Sequence, residues 1–121
     1  MSYQAPVKDM LFVMKELAGI EAVATLPEFE DAGYDTAAAV LEECAKLNEG
    51  VIAPLNWTGD QQPSWFKDGK VTTTPGFKEA FKEFAQGGWQ GLHHPADFGG
   101  QGLPKLIHAA CIEMINSANL A

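Results

Sequence analysis

The stretch from Asp35 to Pro54, which has helical spacing, most constrains the fold of this 121-residue chain. Its apolar side chains recur mostly three or four residues apart, and charged side chains occupy the positions between them. Asp35 is expected to cap this helix, because its carboxylate can accept hydrogen bonds from the free N–H groups of the first turn. Pro54 should end or bend it, since the residue before a proline avoids helical angles. The apolar positions are Ala37, Val40, Leu41, Cys44, Leu47, Val51 and Ile52.

Four other segments show helical patterns bounded by glycine or proline. Gly19 and the pair Gly87-Gly88 are expected to supply left-handed helix ends, because glycine adopts positive φ without strain. Thr74 and Pro75 are expected to be the cap and first residue of a later helix. The predicted spans of these segments are 6–18, 20–26, 75–86 and 104–115.

The stretch 56–74 lacks a helical period. Asp68-Gly69 lies there between short arms of β-prone residues, and Asp-Gly favours a two-residue hairpin turn. We therefore expect a small hairpin or loop excursion near 64–73. Five helices with one such excursion predict an all-α fold, an orthogonal helical bundle.

Composition narrows the range of functions. The net charge of -8 argues against a nucleic-acid partner, because phosphate binding needs clustered basic residues. No segment approaches the ~20 apolar residues of a membrane span, and the start has no basic signal-peptide region. The sequence therefore predicts a cytoplasmic protein. Cys44 and Cys111 are expected to be buried, reduced thiols in helices, with a disulfide as the less favoured alternative.

Two features invite a chemical role. Glycines at 99–102 precede a helix, which could bind phosphate, but no strand precedes them and no Lys-Ser/Thr pair follows. A tight turn is the preferred interpretation. His93-His94 could suggest a metal, yet neighbouring loop residues rarely point at one ion, and only His108 could join them. We expect structural or surface histidines and no metal site. The residues alone therefore predict no catalytic group.

The glycine-rich connector carries a family resemblance. GGWQGL at 87–92 and PADFGGQGLP at 95–104 resemble the acyl-CoA dehydrogenase family, in which a G-W-x-G-L step and a P-x-x-x-G-G-x-G-L turn lead into the next helix. VIAPLN at 51–56 is similar to the end of a family helix. The last helix is similar to an acidic family stretch around 112–114, although it carries one acid where the family has two.

Further motifs resemble one bacterial branch of this family, which includes the 3-methylmercaptopropionyl-CoA dehydrogenases. They are YQAPV at 3–7, the Asp-Gly hairpin followed by TPGF at 74–77, and NSAN at 116–119. The resemblance implies that residues 1–121 are an N-terminal helical domain, without the middle β domain and the C-terminal helical domain of full-length family members.

The resemblance also implies which chemistry is expected elsewhere. The absent domains would carry most FAD contacts and the catalytic glutamate, and no residue here matches that base. The parent enzyme would use an acyl-CoA substrate, FAD and an electron-transfer acceptor, and would be a homo-oligomer. This chain alone would bind no FAD and would be inactive. Its expected role is to form one wall of the acyl pocket. This wall is expected to begin at Ser117, Ala118, Asn119 and Leu120. The alternative is a free-standing helical binding or adaptor module.

Overall fold

The computed structural model describes residues 2–121, which form helices and one hairpin. Helix α2 is a single turn, so five of the helices in the described chain are longer, and the predicted all-α fold with a small hairpin is confirmed. The elements are α1 Val7–Glu16, α2 Ile20–Val23, α3 Tyr34–Leu47, α4 Pro54–Gln61, β1 Trp65–Lys67, β2 Lys70–Thr72, α5 Phe77–Gln86 and α6 Lys105–Ala118.

The core is built around α3, which packs against both α1 and α6. Leu41 of α3 and Ile107 of α6 are completely buried, and Met14 of α1 is nearly so. Burying one side chain of this size stabilises a fold by about 1.5–3 kcal/mol. The helical spacing of the apolar residues therefore corresponds to a real core at the centre of the chain.

The long predicted helix is two helices in the structure. Helix α3 ends at Leu47 and is followed by a π-helical turn, Asn48–Ile52, in which the Ala53 N–H donates to the Asn48 carbonyl oxygen (2.8 Å). Pro54 then begins α4, because a proline loses no helical hydrogen bond in the first turn. The expectation that residues 56–61 lack helical structure is wrong, because α4 spans them. The sequence did not show this helix, since its apolar residues have too little helical periodicity.

Two predicted helix starts are wrong. Asp35 lies in the first turn of α3, and Gly33 occupies the cap position without a side-chain hydrogen bond. Helix α5 begins at Phe77, after Gly76 at φ 88°. Thr74 is not a cap, because its hydroxyl donates to the Gln62 carbonyl oxygen (2.8 Å). A polar side chain near a helix start thus has tertiary partners that the sequence does not reveal.

Two of the predicted glycine helix ends are confirmed. Gly19 lies at φ 69° after α1, and Gly88 lies at φ 71° after α5. A side chain would strain both positions, because L-residues other than Asn and Asp rarely adopt this conformation.

The hairpin is confirmed at the predicted position. Asp68 and Gly69 form its turn at φ 50° and 76°, as a type I′ turn requires. Strands β1 and β2 are antiparallel and pair Trp65 with Thr72, Phe66 with Val71 and Lys67 with Lys70. All six strand residues are exposed, so neither face of the hairpin packs on the described chain.

Both cysteines are free and buried, as predicted. The Cys44 sulfur lies 3.9 Å from the Cys111 carbonyl oxygen, at the contact between α3 and α6. Among residues 2–121, no helix has the length and apolar character needed to cross a bilayer.

Candidate functional site

An open apolar cleft of about 240 Å³ lies where α4, α5 and the end of α6 meet. Three phenylalanine rings of α5 form one side, and Phe81 is 69% exposed although it belongs to the apolar stripe of its helix. No lining residue carries a titratable side chain. The cleft can therefore hold an apolar group, but it cannot supply acid–base catalysis. Its apolar lining residues are Ile52, Leu55, Phe77, Ala80, Phe81, Phe84 and Ile115.

The four predicted wall residues lie in different surroundings. Asn119 lines the cleft, whereas Ala118 is buried in the core and Leu120 is 81% exposed. The Ser117 hydroxyl donates to the Glu113 carbonyl oxygen (2.7 Å) and lies 2.9 Å from the Tyr3 hydroxyl. The structure thus brings Asn119 to the cleft and places Ser117 toward the N-terminal segment. The role of these residues as an acyl-pocket wall stays a prediction.

The residues after α6 are held against the π turn and α4. The Asn119 side-chain amide donates to the Ile52 carbonyl oxygen (3.1 Å), and the Leu120 N–H donates to the Asn56 side-chain oxygen (3.1 Å). The Ala121 N–H donates to the Asn119 side-chain oxygen (2.9 Å). These bonds fix the end of α6 at the edge of the cleft, so the cleft is shaped by hydrogen bonds as well as by apolar packing.

Gly59 of α4 allows this close approach. A Cβ built at Gly59 would lie 2.5 Å from the Ala121 Cβ and 2.8 Å from Cζ of Phe77. Atoms so close must shift, and Gly59 is itself buried. Sequence reasoning missed this residue, because it lies in the stretch where no helix was expected.

The glycine-rich connector does not offer a phosphate site. Its N–H groups are already occupied: Gly100 donates to Pro95 (3.1 Å), Gln101 to Gly91 (3.0 Å) and Gly102 to His94 (2.9 Å), each through the carbonyl oxygen. A Cβ at Gly100 would collide with the carbonyl group of His94. The tight-turn interpretation is therefore confirmed.

The structure brings all three histidines together, which the sequence did not indicate. The ring centroids of His93 and His108 are 4.1 Å apart, and those of His93 and His94 are 4.5 Å apart. Burial lowers the pKa of His93, and the nearby His108, His94 and Lys105 lower it further. Within the described residues no group of three or more His, Cys, Asp or Glu side chains is arranged to hold a metal ion.

Two curated proteins match the whole or nearly the whole chain. 3-Methylmercaptopropionyl-CoA dehydrogenase of Ruegeria pomeroyi is 40% identical over 121 residues, which are 100% of this chain and 21% of that protein. The broad-specificity linear acyl-CoA dehydrogenase FadE5 of Mycobacterium tuberculosis is 31% identical over 121 residues, covering 98% of this chain and 20% of that protein. No protein-family model matches the chain.

The chain thus spans about one fifth of the length of the curated relatives it matches, at their N-terminal end. The first of these relatives is a 3-methylmercaptopropionyl-CoA dehydrogenase, an enzyme that the predicted bacterial branch includes. Both relatives confirm that this chain resembles the N-terminal segment of acyl-CoA dehydrogenases, and in particular of 3-methylmercaptopropionyl-CoA dehydrogenase.

Proposed function

We propose that this chain is the N-terminal helical domain of an acyl-CoA dehydrogenase and forms one wall of its acyl pocket. The observation that carries this proposal is the open apolar cleft beside Asn119, in a chain that matches two acyl-CoA dehydrogenases along their N-terminal fifth. The whole enzyme would remove hydrogen from the α and β carbons of an acyl-CoA thioester.

The role of this chain in that reaction is binding. Apolar side chains such as Phe81 and Ile115 would contact the acyl chain and exclude water from it. The cleft has no titratable side chain, so proton transfer would fall to other parts of the enzyme. The remainder of the enzyme would hold FAD, which supplies hydride acceptance when bound, and would provide the catalytic base. An electron-transfer acceptor and further subunits would be its protein partners.

The first test is the coding sequence. A reading frame that continues past Ala121 into the further domains agrees with the proposal. A stop codon directly after Ala121 contradicts it and supports the alternative, a free-standing helical binding module. The purified 121-residue chain should also carry no flavin absorbance and no dehydrogenase activity; a yellow preparation with stoichiometric flavin would contradict this.

The second test addresses the wall itself in the complete enzyme. Ile115→Ala should lower kcat/KM for the preferred acyl-CoA by about tenfold or more, because the loss of even one methylene contact in an apolar pocket costs about 1–3 kcal/mol. Phe12→Ala is the control, since Phe12 is 62% exposed on α1 and does not line the cleft. Equal kcat/KM values for the Ile115 variant and the unmodified enzyme would rule out contact between this wall and the acyl chain.

A further inference from the structure

The hairpin presents an unusual combination of side chains on one face. Because neighbouring residues of a strand point to opposite faces, Trp65, Lys67 and Lys70 share a face with Thr72. Trp65 is 54% exposed, and the two lysines are paired directly across the strands. Like charges in this position destabilise a hairpin, which is itself only marginally stable without a covering surface.

This face is basic in a chain that is otherwise acidic. Lysines are the only strongly basic residues of this chain, whose net charge is -8, and two of the eight, Lys67 and Lys70, lie on this face. In the part of the chain that the structure describes, the single ion pair joins Lys46 to Glu43. Lys67 and Lys70 therefore have no carboxylate partner there, and an acidic surface would complement this face.

A second, separate surface has the complementary chemistry. A groove of about 360 Å³ runs between α1 and α6, away from the apolar cleft at the end of α6. Its floor is apolar and includes Met10, Val13 and Leu106, and Val13 is 47% exposed. Each helix contributes one carboxylate to the lining, Asp9 from α1 and Glu113 from α6. Neither carboxylate is part of the ion pair between Lys46 and Glu43.

We propose that the hairpin of one copy of this chain docks into the α1–α6 groove of a second copy. The indole of Trp65 covers the apolar floor, and Lys67 and Lys70 pair with Asp9 and Glu113. An aromatic ring can bury about 150–250 Å², and the two charge pairs set the orientation of the contact. Both halves of this charge match, the lysine pair and the two groove carboxylates, lie on this chain itself, which favours a second copy as the occupant.

The proposed contact joins two different surfaces, the hairpin and the groove, so the two copies form a closed assembly only if the contact is repeated. If each copy gives its hairpin to the groove of the other, two equal contacts close a two-fold dimer. The inference does not depend on the proposed enzyme function, because it concerns association of the 121-residue chain alone.

Charge reversal tests the contact by sedimentation velocity over a range of protein concentrations. The unmodified chain should associate, and added salt should weaken the association. Lys67→Glu/Lys70→Glu and Asp9→Lys/Glu113→Lys should each reduce the association constant by about tenfold or more. An equimolar mixture of these two double variants should associate again, because each reversed hairpin then meets a reversed groove.

Two control variants distinguish this contact from general charge effects. Lys78→Glu/Lys82→Glu makes the same change in net charge on α5 and should leave association unchanged. Val71→Thr alters the opposite face of the hairpin and should also leave it unchanged. A chain that stays monomeric at every concentration, or an association that survives both charge reversals, overturns the proposal.

Discussion

The three histidines show how single residues acquire properties that their sequence positions do not reveal. His93 and His94 are neighbours in the chain, but His108 joins them only because the connector folds back onto α6. The Nδ1 atoms of His93 and His108 are buried without a hydrogen-bond partner in the described chain. Burial and the nearby His108, His94 and Lys105 all disfavour a proton on His93, so the neutral state of His93 is favoured.

Folding should therefore become less favourable in mild acid. Unfolding restores the ordinary pKa of His93, about 6.5, while burial and the nearby His108, His94 and Lys105 keep it lower in the folded chain. The unfolded state then binds more protons, and the free energy of unfolding falls as the pH drops below about 6.5. Urea unfolding at several pH values should show this loss, and His93→Gln should reduce it.

The pKa itself can be followed by NMR titration of the His93 ring protons. His108→Phe keeps a ring at the contact but removes a titrating neighbour, so it should raise the pKa of His93 toward its ordinary value. A pKa of His93 that does not change in this variant would contradict the electrostatic explanation.

Helices and turns differ in how far local sequence determines them. The hairpin was predictable because Asp68-Gly69 carries its turn preference within two residues. Helix α4 was not, because it depends on the π turn at 48–52, which positions Pro54 to begin a new helix. The start of α5 was misplaced for a similar reason, since the hydroxyl of Thr74 bonds across to Gln62.

Thr74 should accordingly stabilise the junction between the hairpin and α5. It is 2% exposed, its hydroxyl donates to the Gln62 carbonyl oxygen, and its N–H donates to the Ser64 hydroxyl oxygen (3.1 Å). Thr74→Val keeps the shape but leaves the Gln62 carbonyl unpaired, which should cost about 1–3 kcal/mol in urea unfolding.

Thr73→Val is the matched control. Thr73 precedes it in the chain and is exposed, so its replacement should change the free energy of unfolding by no more than about 0.5 kcal/mol. Equal stabilities of the two variants would contradict a structural role for the Thr74 hydroxyl.

At the scale of the whole molecule, the apolar pattern predicted the core well but the cleft poorly. Helical spacing predicts which apolar residues of α3 and α6 face inward, and most of them, such as Leu41, Cys44 and Ile107, do form the core. The same spacing on α5 suggests burial for Phe81, which is 69% exposed. A pattern of apolar residues cannot distinguish a face that packs on its own chain from one that lines an open cleft.

Two isoleucines of α6 test which face of this helix packs on its own chain. Ile107 is completely buried between helices, and Ile112 is 37% exposed. Ile107→Ala should destabilise the chain by about 2–5 kcal/mol through lost burial and a cavity, whereas Ile112→Ala should cost less than about 1 kcal/mol. Urea unfolding of both variants measures the difference. Similar losses would mean that α6 does not pack as described.

The two buried cysteines between α3 and α6 can be used to measure how often these helices separate. A hydrogen bond to Cys44 and burial raise the pKa of Cys111, so its reactive thiolate is scarce while the helices remain together. A thiol reagent can modify either residue only after α3 and α6 part. The labelling rate, compared with that of the denatured chain, then follows how often these two helices separate in water.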